Sequence, residues 1–336
     1  MVAPAFPAAE TLRQRAPRAR SLPELRVLLA APRGFCAGVR RAIAAVEDAL
    51  ALHGAPVFVF RPIVHNLAVV RALEAKGAVF VRDLGQIPYG AVVVFSAHGV
   101  SPETARAAAL RRLVAFDAVC PLVAKVHRQV LRFHRQGRHV LLIGHEGHPE
   151  VVGTLGHLPS GAATLVVTPA DIESLPLHRD VPVAYSVQTT FSVDEAASLI
   201  GLLAARFTDL AAPAASDICY ATTNRQAAIS ELARRADAVI VVGETFSSNA
   251  SRLAELAAQH CPMLQLIPDS SQLDWSALPA SGGTVAVTAA ASTPETSVAG
   301  VVRALATRYR VTASEETMRE ETVEFGRVRI APPASG

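Results

Sequence analysis

Short apolar segments alternate with amphipathic ones along the chain from Leu25 to Ala331. The apolar segments are strand-sized and rich in valine and isoleucine, which is typical of strands buried on both faces of a parallel sheet. They include PVFVF, AVVVFSAHG, HVLLIGHE, VPVAYSVQTT, ADAVIVVGET and GTVAVTAAAS. The intervening segments, such as RRAIAAVEDALAL and SRLAELAAQH, have the periodicity of helices. The alternation predicts an α/β fold with mostly parallel sheets.

Three of the predicted helices open on a cysteine. Cys36 lies in GFCAGVRRA, Cys120 in DAVCPLVAKVH and Cys219 in DICYATTNRQ, with separations of 84 and 99 residues. After each cysteine the chain supplies two strands that end in polar loops of small residues. The repeat predicts three similar α/β domains in a pseudo-threefold trefoil, with the three cysteines together at its centre.

The repeat also sets the expected domain boundaries. We predict a disordered N-terminal extension, three α/β domains and a C-terminal tail, at residues 1–24, 25–120, 121–218, 219–310 and 311–336. The extension is rich in alanine, proline and arginine and lacks the apolar core of a secretory signal. Its arginines leave an organelle transit peptide as the alternative, but a bacterial extension is the simpler interpretation.

Composition narrows the class of protein. Of the 336 residues, 51% are hydrophobic, yet no apolar run approaches the roughly 18 residues of a membrane span. Four widely spaced cysteines without a CxxC pair favour neither a disulfide scaffold nor a zinc ribbon, and they fit a reducing cytoplasm. The net charge of +3, without a run of like charges, makes nucleic acid a poor candidate and suits a phosphorylated substrate or a small acidic partner protein.

The helix-start cysteines form the first candidate site. Helix N-termini favour anionic thiolates, and three converging thiolates suit a soft metal or an iron–sulfur cluster. Four cysteines would saturate a 4Fe–4S cube, whereas three leave one iron open to a substrate. The alternative is that all four cysteines are small buried hydrophobes. Cys261, in AQHCPML, lacks the flanking pattern, so we expect an ordinary core or near-surface thiol.

Polar residues in the strand-end loops form the second candidate site. Such loops offer backbone N–H groups and the positive end of a helix dipole, which is a natural anion site. Histidines, hydroxyls and an amide there suggest a diphosphate held mostly by neutral hydrogen bonds, and neither a P-loop nor a GxGxxG motif is present. The candidates are His65, His98, His148, Ser247, Ser248, Asn249 and Ser292.

One acidic residue lies beside these loops. Glu150 follows His148 by two residues in GHPE, so both side chains can point into one cavity. A carboxyl in an apolar loop resists ionisation, which suits a proton donor near neutral pH. Thr189, in VQTT, is the expected partner that orients this carboxyl or a substrate hydroxyl.

Together these segments resemble a known family. The motifs run in order from about Leu25 to Tyr309 and are similar to those of 4-hydroxy-3-methylbut-2-enyl diphosphate reductase, which catalyses the last step of the non-mevalonate isoprenoid pathway. They are PRGFCAGVRRAI, VHN, FSAHGVS, DAVCPLVAKVH, GHPEVVGT, QTTFSVDE, DICYATTNRQ and SSNASRLAELA. Each motif alone is weak, but eight in register are very specific.

The resemblance implies a function and a set of roles. It implies that Cys36, Cys120 and Cys219 hold a 4Fe–4S cluster with one open iron, and that the strand-end candidates bind the diphosphate of the substrate. It also implies that Glu150 and Thr189 hold the allylic hydroxyl and relay protons while two electrons remove it, yielding isopentenyl and dimethylallyl diphosphates. The electrons would come from an acidic donor such as ferredoxin or flavodoxin in the bacterial cytoplasm.

Three residues depart from the family pattern. Ala290 stands where a glycine is common, and it would strain the phosphate loop if that position needed a positive φ. Glu244 and Phe246 replace smaller or more polar residues, and Glu244 would add negative charge near the diphosphate. Two other functions stay open. The chain is then either a divergent duplicate that acts as a cluster-based redox sensor, or a zinc hydrolase that uses the three cysteines and a histidine. A sensor would not need Glu150 and Thr189.

Overall fold

The computed structural model describes residues 22–332, so most of the predicted N-terminal extension and residues 333–336 lie outside the described range. Strands and helices alternate along this range, as the apolar pattern predicted. The strands are β1 Glu24–Ala31, β2 Val57–Phe60, β3 Ala78–Val81, β4 Val92–Phe95, β5 Val114–Asp117, β6 His139–Ile143, β7 Ala163–Val166, β8 Val183–Val187, β9 Leu210–Ala211, β10 Ala238–Val242, β11 Leu264–Ile267, β12 Gly283–Ala289 and β13 Arg310–Thr317. The helices are α1 Ala37–His53, α2 Leu67–Glu74, α3 Pro102–Leu110, α4 Pro121–Arg135, α5 Pro149–Leu155, α6 Pro169–Ser174, α7 Val193–Arg206, α8 Tyr220–Ala233, α9 Ser248–Ala258 and α10 Glu295–Leu305. Short 3₁₀ helices cover Leu84–Gln86, Ser270–Gln272 and Trp275–Ala277.

These strands form three separate sheets in which every pairing is parallel. The first sheet has the order β3-β2-β4-β5, the second β7-β6-β8-β9 and the third β11-β10-β12-β1-β13. The predicted α/β fold with three similar parallel units is confirmed. Within the described range, no helix is long and apolar enough to cross a membrane.

The central strands are buried on both faces, which explains their uninterrupted apolar sequences. All five residues of β10 have 0% exposure. Val239 and Val241 pack in one core with α8 and α9. Ile240 and Val242 pack in another core with α10. Because both faces of the strand meet apolar side chains, its sequence shows no polar alternation.

The same connection occurs once in each sheet. The strand that follows β4, β8 or β12 in the sheet order leads directly into a helix that begins after a cysteine. Strand β5 leads to Cys120 and α4, β9 leads to Cys219 and α8, and β1 leads to Cys36 and α1. The first strand of the chain therefore occupies, in the third sheet, the place that β5 and β9 occupy in the other two.

This topology differs in two details from the domain boundaries expected from the sequence. Strand β1 falls almost wholly within the expected first domain, residues 25–120, but lies in the third sheet. Strand β13 falls mostly in the expected tail, residues 311–336, but pairs with β1 along its whole length, from Glu24↔Arg310 to Ala31↔Thr317. Consecutive strands usually pair, so an apolar pattern favours placing β1 with the strands that follow it. The other boundaries stay a prediction.

The segment after β13 has no regular secondary structure and returns to the first unit. Arg225, which is 1% exposed, donates a hydrogen bond to Glu321 of this segment at 2.8 Å and another to the carbonyl oxygen of Gly34 at 2.9 Å. Val328 and Ile330 pack against the core that contains α1. The segment thus connects α8 with α1, near the loop that carries Cys36.

Candidate active site

A cavity of about 100 Å³ lies between the three units, and side chains from all three line it. Its lining contains every residue that the sequence predicted as a metal ligand, a proton donor or a group that binds an anion. These are Cys36, Cys120, Cys219, His65, His98, His148, Glu150, Thr189, Ser247, Ser248, Asn249 and Ser292. Residues that are up to 256 positions apart in the chain therefore meet at one place.

Six loops bring the polar side chains to this cavity, and each follows one of two adjacent central strands of a sheet. The gap between two such strands is the topological switch point, where open α/β sheets bind ligands. The loops after β2, β4, β6, β8, β10 and β12 carry, in that order, His65, His98, His148, Thr189, Ser247 and Ser292. Each sheet thus contributes two loops to the lining of the cavity.

The three thiols lie at the N-caps of α1, α4 and α8. A Cβ atom placed on Gly38 would lie 2.8 Å from the Cys120 Sγ and 3.8 Å from the Cys36 Sγ, so only glycine fits beside these two thiols. The Cys219 Sγ accepts a hydrogen bond from the Thr222 N–H at 3.4 Å. The helix-start cysteines therefore converge on one cavity, as their positions in the repeat predicted.

Burial keeps two of these thiols protonated when no metal is bound. It raises the pKa of Cys120 to about 12 and that of Cys219 to about 11, and neighbouring thiols add to both shifts. The lining, as far as the structure describes it, contains no lysine or arginine that would favour thiolates. Stable thiolates at this place require a positively charged group bound between them.

Three imidazole rings form a second cluster in the cavity. The centroid of the His65 ring lies 4.3 Å from that of His98 and 5.2 Å from that of His148, and the last two are 5.7 Å apart. Burial lowers the pKa of His65 to about 4 and that of His148 to about 3. Burial and repulsion from the other two rings hold the pKa of His98 well below its usual value. At neutral pH the cluster is uncharged.

Several buried polar atoms of the cavity have no hydrogen-bond partner among residues 22–332. They are the Nε2 atoms of His65 and His148 and the Nδ2 atom of Asn249. The His148 Nδ1 accepts from the Glu150 N–H at 3.2 Å, so its Nε2 carries the proton. The Asn249 Oδ1 accepts from the Ala291 N–H at 2.9 Å, which leaves the amide hydrogens free to donate. Buried polar atoms without partners are costly, and two of these atoms, the His148 Nε2 and the Asn249 Nδ2, are donors. The cavity therefore suits a ligand that accepts hydrogen bonds.

Glu150 and Thr189 form a tight buried pair. The Thr189 N–H donates to Oε1 of Glu150 and the Thr189 hydroxyl donates to Oε2, both at 2.7 Å. Glu150 is only 2% exposed. Burial raises its pKa to about 7 despite these two hydrogen bonds, which favour the charged form. The carboxyl is therefore poised to hold and release a proton near neutral pH.

A model of the family described as LytB protein matches residues 27–306, which is most of the chain. The chain belongs to the LytB family. Two of its relatives, both named 4-hydroxy-3-methylbut-2-enyl diphosphate reductase, come from Methylocella silvestris and Phenylobacterium zucineum. They are 48% and 50% identical to it, and the matches cover 90% and 91% of this chain and 95% and 97% of those proteins. The family predicted from the eight motifs is confirmed.

Solved structures of LytB-type reductases agree with this assignment. The E-1-hydroxy-2-methyl-but-2-enyl-4-diphosphate reductase from Plasmodium falciparum is similar with a TM-score of 0.86 at 35% identity, over 91% of this chain and 96% of that one. A structure described as (E)-4-hydroxy-3-methyl-but-2-enyl diphosphate reductase, the terminal enzyme of the non-mevalonate pathway, gives a TM-score of 0.62 at 30% identity. That match covers 84% of this chain and 99% of the other.

The zinc hydrolase alternative requires a compact set of metal ligands. A single zinc ion holds its ligand atoms within about 2.0–2.3 Å of one point. In the described part of the chain, no three histidine, cysteine, aspartate or glutamate side chains are grouped closely enough to hold one metal ion. The three thiols share the cavity without forming such a compact set.

The three residues that depart from the family pattern, Ala290, Glu244 and Phe246, do not line the cavity. The Glu244 Oε1 accepts from the Leu67 N–H at 3.0 Å, so it ties the loop after β10 to the start of α2, and it does not line the cavity. Arg61 and Arg112 are the non-glycine residues with positive φ in the described range, so Ala290 fits without strain. Phe246 is 51% exposed and stands beside the His65 ring, with the centroids 6.3 Å apart.

Some lining residues were not predicted. Thr190 and Thr222 are within motifs that the sequence highlighted, but neither was assigned a role. The apolar wall was also missed; it includes Val39, Val64, Ala97, Leu122 and Val123. Apolar residues in strand-end loops resemble core residues in sequence, so only the cavity reveals them. Cys261 is 2% exposed and packs with α8 and α9 in a core, apart from the cavity.

Proposed function

We propose that this chain reductively removes the allylic hydroxyl of 4-hydroxy-3-methylbut-2-enyl diphosphate. The substrate gains two electrons and two protons: the allylic C–O bond breaks, the oxygen leaves as water, and one C–H bond forms. The products are isopentenyl and dimethylallyl diphosphates. The observation that carries the proposal is the meeting of three thiols, three neutral imidazoles and a buried carboxyl in one cavity of a LytB family member.

The residues fit a 4Fe–4S cluster with Cys36, Cys120 and Cys219 as its ligands. Gly38 leaves space beside two of the thiols, and thiolates at this place need the positive charge of a metal. Each thiolate of such a cluster binds a different iron, so the thiols lie further apart than around one ion. When bound, the cluster would supply electrons and, through an iron without a protein ligand, a Lewis acid for the hydroxyl.

The neutral imidazoles, the Asn249 amide and the serine hydroxyls are proposed to bind the diphosphate. The unpartnered Nε2 atoms of His65 and His148 and the Nδ2 of Asn249 supply the first donors. Ser247 and Ser248 lie at the start of α9, where free N–H groups and the helix dipole favour an anion. Gripping the diphosphate fixes the short carbon chain in the cavity, which supplies proximity to the reacting centre.

Glu150 is proposed to deliver the proton with which the hydroxyl leaves as water. Its raised pKa keeps a large fraction protonated near pH 7, and its burial excludes competing water. The two hydrogen bonds from Thr189 fix the orientation of the carboxyl, so its proton is presented in one direction. Thr189 is also proposed to help hold the allylic hydroxyl of the substrate.

We also propose an acidic carrier protein, such as a ferredoxin or a flavodoxin, as the electron donor, and the bacterial cytoplasm as the site of action. A net charge of +3 favours encounter with an acidic carrier. The four cysteines are free thiols, which fits a reducing compartment.

Anaerobic purification tests this function. We expect a brown protein with about four irons and four sulfides per chain, which converts the substrate when dithionite supplies electrons. A colourless protein that contains zinc would instead favour the hydrolase. A cluster-loaded protein that binds the substrate without converting it would favour the redox sensor.

A further inference from the structure

Helix α4, which begins directly after Cys120, has a strongly basic outer face. Lys125, Arg128, Arg132 and Arg135 follow one another at intervals of three or four residues, which places them along one side of the helix. We call this set the α4 basic stripe. The three arginines are exposed. The opposite side is buried in the second unit, where Val126, Val130 and Phe133 pack against β6 and β8.

The charges of these arginines are not neutralised within the described part of the chain. None of the three arginines of the stripe forms an ion pair there. Like charges at such spacings destabilise a helix. The helix dipole favours Arg132 and Arg135, which lie in the last turn, but it does not favour Arg128. An acidic partner would explain the whole set.

The N-terminal end of the stripe lies where the thiols converge. The Lys125 Nζ donates to the carbonyl oxygen of Ser216 at 2.8 Å, three residues before Cys219, and pairs with the buried Asp217 at 3.3 Å. Two cations of α1 hold the other thiol loops in the same way. The Arg41 guanidinium donates to the carbonyl of Val119 at 2.8 Å, and that of Arg40 donates to the carbonyl of Phe35 at 2.6 Å.

We infer that the α4 basic stripe is the docking face for the acidic one-electron carrier; this rests on the function proposed above. Positive charge on α4 complements an acidic carrier, and the face borders the helix turn that holds Cys120. Each docking transfers one electron and releases an oxidised carrier, so two dockings supply the two electrons of one turnover.

Charge reversal of Arg128 and Arg132 tests the docking face. The probe is a reduced acidic [2Fe–2S] ferredoxin, and turnover is followed at low and high salt with the cluster-loaded enzyme. For Arg128→Glu/Arg132→Glu we expect the KM for ferredoxin to rise about tenfold or more at low salt, and its salt dependence to weaken. Turnover with dithionite should stay unchanged. Arg303→Glu, an exposed arginine of α10 without an ion pair in the described range, is the matched control.

Direct titration of oxidised ferredoxin onto the same proteins measures docking without turnover, so it decides the inference even if the proposed reaction fails. Weaker binding by the reversal variant, with the control unchanged, supports the docking face. Equal affinities would overturn it. The docking face would also be overturned if Arg128→Glu/Arg132→Glu lowered the affinity for a fluorescent oligonucleotide but left the affinity for ferredoxin unchanged. Arg128→Gln/Arg132→Gln, which removes charge without adding any, should give a smaller shift in the same direction.

Discussion

The central cavity and the α4 basic stripe both suit anions, but they do so by opposite means. The cavity offers neutral donors, such as the His148 Nε2 and the Asn249 Nδ2, and its described lining contains no lysine or arginine. The stripe offers exposed guanidinium groups without ion-pair partners in the described range. An unpaired cation is far more expensive to bury than a neutral donor, so the interior uses imidazole and amide groups. Exposed cations act over a longer range and suit a partner that arrives and leaves.

Loss of one cavity thiol should have the largest effect on turnover, and it should leave the α4 basic stripe unaffected. In Cys120→Ser we expect iron content to fall and turnover to drop below detection, because a hydroxyl is a poor ligand for a soft metal. Ferredoxin binding at the stripe should persist, since no residue of the stripe changes.

Cys261→Ser is the matched control, because this thiol is buried in a core apart from the cavity. It should keep both iron content and turnover. A full complement of iron in Cys120→Ser would show that this thiol is not a ligand.

Removal of the acid should have the next largest effect. Glu150→Gln keeps the shape and most hydrogen bonds of the side chain but carries no transferable proton. General acid catalysis contributes about 10²–10⁴ in rate, so we expect turnover with dithionite to fall at least about a hundredfold while the cluster and substrate binding remain. Near-normal turnover in a cluster-loaded variant would mean that the proton comes from another group.

Loss of one diphosphate donor should act on affinity. For His148→Ala we expect the KM for substrate to rise about tenfold, because a lost hydrogen bond to a charged group costs roughly 1.5–3 kcal/mol. The comparison of the two regions is sharpened by salt: this KM should respond weakly to ionic strength, while the KM for ferredoxin should rise with it. Equal salt dependence of the two constants would contradict the division into a neutral interior and a charged surface.

The smallest effect concerns the dependence of stability on pH. The pKa of Glu150 is about 7 in the folded protein, against an ordinary value of 4.5. Between these values the folded state keeps a proton that the unfolded state has lost, so this group's contribution to the free energy of unfolding falls as pH rises.

We expect wild type to lose stability relative to Glu150→Gln by at most about 1.4 kcal/mol per pH unit up to pH 7. Urea unfolding of both proteins at several pH values between about 5.5 and 7 measures this difference. A constant difference would mean that the carboxyl is already ionised throughout that range.

The sequence predicted the lining of the cavity well because its polar residues lie in loops directly after apolar strands. A strand-end position is a local property, and the carboxyl ends of parallel strands meet at one edge. The cysteines were found in the same way, since each begins a helix. The partner of Glu244 was not predictable, because Leu67 lies 177 residues away in another unit.

Two larger features also escaped the sequence. The third sheet contains β1, whose partners β12 and β13 come from the other end of the chain, and an apolar pattern carries no record of such pairing. The α4 basic stripe is spread over eleven residues in which charged and apolar positions are mixed. No run of like charges appears until those residues are wound into a helix.

The place of β1 has a consequence for the order in which the protein forms on the ribosome. Synthesis proceeds from the N-terminus, and early domains commonly fold before later ones emerge. Strand β1 must wait, because its partners β12 and β13 are the last strands to be made. Cys36 follows β1 directly, so the first cysteine to be translated is the last to be fixed in position. The central cavity is therefore complete only when almost the whole chain has been released, so the proposed cluster would be inserted into the finished protein.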